Sequence, residues 1–277
     1  MNVTLWGTRG SVPTPGPETV RYGGNTACVE VRAIDDHVVV LDAGSGITRL
    51  GATIGPEVTR VDLLLTHLHM DHILGLGFFQ PFRRPGLDVH IWGPASTTLD
   101  LHARLSRYMS PPLFPVRLHE FECDLTLHDV PIGDFEIPGL LASAARVCHP
   151  GPTVGYRLEN GGVVTYLPDH EPALGSKAFP EKSEWLSGYE LAVGADVLIH
   201  DSQYDDREYE DRVGWGHSTV NQTLDFARAT DVRHLVAFHH DPSHDDDALE
   251  QLYADATNGD GTPFDLTIAA EGDTFDV

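Results

Sequence analysis

The sequence predicts a single α/β domain of layered sheets and helices spanning residues 1–277. Three observations carry that expectation. Short runs rich in valine, isoleucine and leucine alternate with segments of helical spacing, and no repeat, low-complexity tract or long linker divides them. The 41% hydrophobic content supplies a substantial core. Proline and glycine gather at residues 12–17, 110–115 and 149–152, which read as loops between elements.

The β-rich runs are residues 38–41, 61–65, 89–92, 163–167, 197–200 and 235–238. Helical candidates are 47–54, 95–108, 219–229 and 245–256. In the third, Val220, Leu224 and Ala227 recur at helical spacing, with Ser218 or Thr219 as the cap. Residues 245–247 read as the acidic first turn of the fourth, favourable for its dipole, with His244 facing solvent. The apolar, proline-rich stretch 108–116 suits a partner surface, a lid or a packed loop equally well.

Charge narrows the function classes. Acidic residues outnumber basic ones by 42 to 18, for a net charge of −24, and Lys177 and Lys182 are the only lysines against 16 arginines. Such a surface repels polyanions at long range, which disfavours a large nucleic acid as partner and favours a small-molecule ester. No apolar run approaches the roughly 20 residues of a membrane span, and the first residues lack the basic-then-apolar layout of a secretory signal. The expectation is a cytoplasmic protein with no membrane partner. Cys28, Cys123 and Cys148 form no CxxC pair and read as small buried side chains.

The segment VDLLLTHLHMDH holds the strongest chemical signal. His67 and His69, two residues apart at a strand's end, point to one side, and Asp71 and His72 follow at the next turn. Imidazoles and a carboxylate suit zinc best, and manganese or iron also fit. At this composition HxHxDH arises by chance in roughly one such chain in several hundred. Four ligands cannot fill two metal sites, so further donors belong at other strand ends. His149 follows the apolar run 140–147, Asp169 follows VVTYLP, and His239 follows LVAF. His170 and His240 adjoin two of these and read as exposed or supporting residues.

This pattern resembles the metallo-β-lactamase superfamily over nearly the whole chain. The resemblance implies a four-layer αββα sandwich binding two divalent cations. It assigns His67, His69 and His149 to one metal, Asp71, His72 and His239 to the other, and Asp169 to a bridge between them. A homodimer is a further family-level expectation.

A metal pair suits phosphoryl transfer, but also lactams, lactones and thioesters. A second segment, DSQY…VGWGHSTVNQT, decides between them. His217 precedes a helix and Asp201 ends a strand, with His200 and Asp205 as alternatives for the carboxylate position. An imidazole oriented by a carboxylate is a natural proton donor to an alkoxide leaving group. Asp71, His217 and Asp201 are therefore the candidate catalytic residues. The pairing resembles the ribonuclease Z and phosphodiesterase branch, as does the opening GTRGSVPTPG…RYGGNTACVEV. In that opening, a turn at Gly23, Gly24, Asn25 and Thr26 could offer backbone N–H groups to an anion, with Arg9 and Arg21 adding charge. Arg9, Gly24, Asn25 and Thr26 are thus the candidate substrate-binding residues, although the same residues also suit a plain turn between strands.

Ribonuclease Z proteins carry a long, basic, glycine-rich arm, and no such insertion fits between Leu174 and Leu198. The expectation is therefore a dinuclear metal-dependent phosphodiesterase acting on small phosphodiesters such as cyclic nucleotides. The alternatives are a tRNA 3′-processing endonuclease, a lactone or other ester hydrolase, and a non-catalytic metal-binding domain.

Overall fold

Valine-rich strands set the frame in a computed structural model that describes residues 1–174, 179, 182–257 and 261–277. Lys177 and part of the span between Leu174 and Leu198 lie outside the described residues. The first sheet contains β1 (Asn2–Gly7), β2 (Cys28–Arg32), β3 (His37–Leu41), β4 (Arg60–Leu64), β5 (Asp88–Pro94) and β6 (Asp124–Val130). The second contains β7 (Gly133–Ile137), β8 (Leu140–Arg146), β9 (Val154–Glu159), β10 (Val163–Leu167), β11 (Val197–Asp201), β12 (His234–Phe238) and β13 (Asp265–Ile268). The last strand, β14 (Thr274–Asp276), returns to the first sheet, giving orders β14-β1-β2-β3-β4-β5-β6 and β13-β12-β11-β10-β9-β8-β7.

Three apolar clusters define the layers. Val29, Leu41, Tyr156, Ile199 and Phe238 belong to the cluster between the sheets. Ile47, Leu50, Leu63, Phe79 and Leu105 join the outer face of the first sheet to α1 (Ile47–Gly51) and α3 (Leu101–Leu105). Leu191, Leu224, Phe226 and Tyr253 join the second sheet to α4 (Tyr189–Ala192), α6 (Val220–Ala229) and α7 (Asp246–Thr257). The order helix, sheet, sheet, helix is the four-layer αββα sandwich. No helix among the described residues is long and apolar enough to cross a membrane.

The elements follow local chemistry. Helix α6 buries Val220, Thr223, Leu224, Phe226 and Ala227 on one face and starts at a Thr219–Gln222 capping box. Helix α3 is much shorter than residues 95–108. Asp100 accepts a hydrogen bond from the Ala103 N–H at 2.7 Å, which fixes the start after the serine- and threonine-rich run. Residues 108–116 pack as a loop, with Met109 and Phe114 buried and Leu113 exposed.

His244 corrects its expected exposure: it is buried and its Nε2 lies 3.0 Å from Glu208 Oε1 on α5 (Asp206–Glu210), a partner distant in sequence. Cys28 and Cys123 are buried, whereas Cys148 is only partly so.

A buried carboxylate ties the first sheet together. Asp62 on β4 receives Trp92 Nε1 at 2.7 Å and Arg60 Nε at 2.7 Å, and lies 2.8 Å from His37 Nε2. Burial would raise its pKa, but these partners hold it well below the ordinary carboxylate range. Such a depressed group stabilises the fold above its unfolded pKa and loses that contribution as pH falls through the folded value. Asp62→Asn is expected to lose about 2–4 kcal/mol at neutral pH. Urea titrations should show the gap from wild type narrowing below about pH 4, where the unfolded aspartate protonates. A gap independent of pH would contradict this role.

Candidate metal centre

The pairings make β3 and β4 run one way in the first sheet and β8, β10, β11 and β12 run one way in the second, and the residues that follow these strands meet at one rim. The rim at the carboxyl ends of such strands is where an open α/β sheet presents side chains to ligands. His67, His69, Asp71 and His72 follow β4, His149 follows β8, Asp169 follows β10 and His239 follows β12.

The structure brings all seven together. His67, His69, His149 and Asp169 form one group of potential ligands, and Asp71, His72, His239 and Asp169 form a second. Asp169 belongs to both. Its Oδ2 lies 3.6 Å from the Nε2 atoms of His67 and His149, and its Oδ1 lies 2.9 Å from His72 Nε2 and 3.2 Å from His239 Nε2. Asp71 Oδ2 lies 3.3 Å from the Nε2 atoms of both His72 and His239.

The donor set fits a pair of divalent cations on its own geometry. His67 Nε2, His72 Nε2 and Asp169 Oδ1 are buried in one small volume without a well-aligned hydrogen bond, the 2.9 Å approach of the last two included. Orphaned polar atoms gathered in this way are costly unless something else satisfies them. Burial would raise the pKa of Asp169, but His239, His72 and His67 hold it far down. Burial, followed by neighbouring imidazoles, pushes His67 down. Burial also opposes charge on His72, but Asp169, Asp71 and Asp42 outweigh it and push that imidazole up, so a cation bound there would displace its proton.

Outside the cluster, further groups orient the imidazoles. His72 Nδ1 is 2.8 Å from Asp42 Oδ2, a carboxylate that also accepts from Thr66 Oγ1 and from Tyr166 Oη at 3.0 Å. His149 Nδ1 is 3.0 Å from the Gly216 carbonyl, and His239 Nδ1 is 3.1 Å from Gln203 Oε1. Asp42 and His239 both adopt left-handed backbone, with φ 59° and 62°, a strain retained where side chains must be aimed. Gly10 lies so close to His239 that a Cβ there would come within 2.5 Å of its ring. Asp42→Asn is expected to weaken metal affinity about 10- to 100-fold. Competition with a chromophoric chelator measures this; unchanged affinity would show that His72 needs no such partner.

Beside the cluster, His217 Nδ1 donates to Asp201 Oδ2 at 2.6 Å, and its ring stacks on His239 with centroids 5.0 Å apart. Asp201 is fully buried and also accepts the backbone N–H groups of His170, Gln203 and Ser218. The alternatives fall elsewhere: His200 contacts His170 at 2.9 Å, and Asp205 caps α5. Burial opposes charge on His217, but Asp201 outweighs it and pushes the imidazole up to about 9.

The loop before His217 is clamped from below. Buried Glu171 accepts the N–H groups of Gly214 and Gly216 and the hydroxyl of Tyr209. Gly216, at φ +90°, leaves room for His149, whose Nδ1 would lie 2.3 Å from an added Cβ. Local sequence reading missed Asp42, Gln203 and Glu171. Asp42 alone carried a usable signal, since it ends an apolar strand as Asp169 does.

The expected substrate-binding turn is otherwise employed. Arg9 is fully buried, and its guanidinium donates to the carbonyls of Gly23, Asp241 and His244 and lies 3.7 Å from Asp246. The Asn25 N–H and side-chain amide both donate to Glu271, and the Thr26 N–H donates to Ser45 Oγ. A Cβ at Gly24 would fall 2.5 Å from the Thr14 carbonyl. The anion facing this turn is the protein's own Glu271, so these four residues hold loops together. Arg21 is likewise tied to Asp246, Asp247 and Glu250. His170 and His240 are buried and stand outside both ligand groups.

An αββα sandwich with a His/Asp cluster on one rim defines a class of metal-dependent hydrolase. A family model described as "Beta-lactamase superfamily domain" matches residues 37–240, and the chain belongs to the metallo-β-lactamase superfamily. Among particular relatives, Ribonuclease Z of Myxococcus xanthus (strain DK1622) is 27% identical over 289 residues, covering 91% of each chain. The short form of human tRNase Z superposes with a TM-score of 0.67 at 21% identity, covering 100% of this chain and 99% of that one. Zn(2+)-bound PqqB from Methylobacterium extorquens superposes with a TM-score of 0.70 at 18% identity over 100% of both chains.

Proposed function

We propose that this chain is a dinuclear metal-dependent phosphodiesterase that cleaves RNA, with precursor-tRNA 3′ ends as the first substrate to test. The observation supporting phosphodiester chemistry is the Asp201–His217 pair at 2.6 Å beside the seven-residue cluster. Two divalent cations, zinc first among them, would supply an ionised water at neutral pH and offset charge on the phosphoryl oxygens. With Nδ1 committed to Asp201, His217 holds its transferable proton at Nε2. From there it protonates the departing ribose oxygen. Asp201 keeps the ring in that tautomer, and Asp71 and Asp169 complete the charged floor of the site.

Support for RNA comes from the relatives: a protein named Ribonuclease Z aligns over nine-tenths of both chains. This revises the charge-based expectation that a large nucleic acid is disfavoured. A second reading, hydrolysis of a small phosphodiester such as a cyclic nucleotide, is favoured by the net charge of −24. Rates measured side by side on precursor tRNA, cyclic nucleotides, bis(4-nitrophenyl) phosphate and a lactone separate these. The expected result is endonucleolytic cleavage of the tRNA precursor. Turnover of cyclic nucleotides without RNA cleavage would replace this reading by the second, and a dominant lactone rate would overturn both.

A further inference from the structure

The metal centre opens sideways at His69, which is exposed, into a hollow of about 610 Å³ whose walls include His67, Ser96, Thr98, Arg104 and Arg146. A second hollow, of about 590 Å³, shares Leu68 and Arg104 with the first and continues past Met70, Arg107, Tyr108 and Leu113. Neither hollow is lined by a single aspartate or glutamate. In a chain with 42 acidic residues against 18 basic ones, that is an uneven distribution.

The arginines differ in how they are held. Arg104 is fixed by the Pro94 carbonyl at 2.6 Å and by Asp129 at 3.8 Å. Arg107 and Arg146 are exposed and have no carboxylate partner among the described residues. Nine of the sixteen arginines, Arg104 among them, sit within ion-pair distance of an acid, so what sets Arg107 and Arg146 apart is their place on the walls of the hollows. Unpaired guanidinium groups beside an anion-processing centre complement a phosphate backbone. On the other wall, Met70 is 49% exposed and Leu113 69% exposed, beside the Tyr108 ring, which offers bases an apolar surface.

We infer that this double hollow is a track for a single-stranded polynucleotide, in which Arg107 and Arg146 hold phosphates flanking the scissile bond. The inference rests on the ribonuclease reading and deepens it. It also resolves the conflict with net charge, because a local cationic strip supplies the counterion release that the acidic surface cannot. A cyclic mononucleotide has no flanking phosphates to occupy it.

Binding of a short, fluorescein-labelled single-stranded RNA with phosphorothioate linkages to the metal-loaded protein tests the track. Wild type is expected to bind with an affinity that falls as salt rises from about 0.05 to 0.2 M. An Arg107→Ala/Arg146→Ala variant should bind about tenfold more weakly, with its slope of log affinity on log salt flatter by about 1.4. The corresponding double lysine variant should recover the slope, which separates lost charge from a disturbed fold. Metal content and thermal unfolding of both variants guard the same point. Absent binding by wild type, or equal affinity and slope in the alanine variant, would overturn the track. Cleavage is scored separately: arginine-dependent binding by a wild type that leaves precursor tRNA intact would remove the ribonuclease reading while the track stands.

Discussion

Asp169→Ala is expected to reduce hydrolysis to background and to leave the protein unable to hold a metal pair. Asp169 is the only residue common to both ligand groups, and each of its oxygens faces a different set of imidazoles. Its removal would take a candidate ligand from each group at once, along with the carboxylate that both groups share. The loss should exceed the roughly 10²- to 10³-fold effect of deleting a single electrostatic stabiliser. Asp169 is also the charge that offsets four packed imidazoles: His67, His72, His149 and His239 all lie within 3.6 Å of its oxygens. Elemental analysis and rate, measured together on folded variant, check this. Full occupancy with a near-normal rate would mean that the bridge is misassigned.

The second large effect belongs to His217. His217→Ala should lower turnover of RNA about 10²- to 10⁴-fold with metal content unchanged, because a ribose alkoxide is a poor leaving group without a proton. The same variant should lose far less on bis(4-nitrophenyl) phosphate, since 4-nitrophenolate departs unaided. Asp201→Asn should follow the same split, because its side chain fixes which ring nitrogen carries the transferable proton. Equal losses on both substrates would make His217 a clamp on a phosphate oxygen. An undiminished rate on RNA would remove it from the reaction.

The parts of this centre that were legible in the sequence are those whose geometry is local. HLHMDH lies on one strand end and one turn, so spacing alone places four donors together. His149, Asp169 and His239 could be found because each ends an apolar run, and the fold gathers strand ends on one rim. Asp42 obeys the same rule but is hard to single out, since one acid after VVVL carries no pattern of its own. What stayed hidden depends on distant partners. Arg9 reads as a free cation beside a glycine turn, yet Asp241, His244 and Asp246 surround it from the far end of the chain. Asn25 reads as an anion-binding corner, and Glu271, 246 residues away, already occupies it. The fold shows the same division. Buried parallel strands such as β4 and β11 announce themselves as apolar runs, whereas β6 is half exposed and reads as polar coil.

Metal stoichiometry of the purified protein bears most directly on the whole account. Two divalent cations per chain are expected for the two ligand groups, with hydrolysis abolished by exhaustive chelation and restored when zinc is returned. A folded protein that holds no divalent ion, or whose hydrolysis survives chelation undiminished, would contradict it.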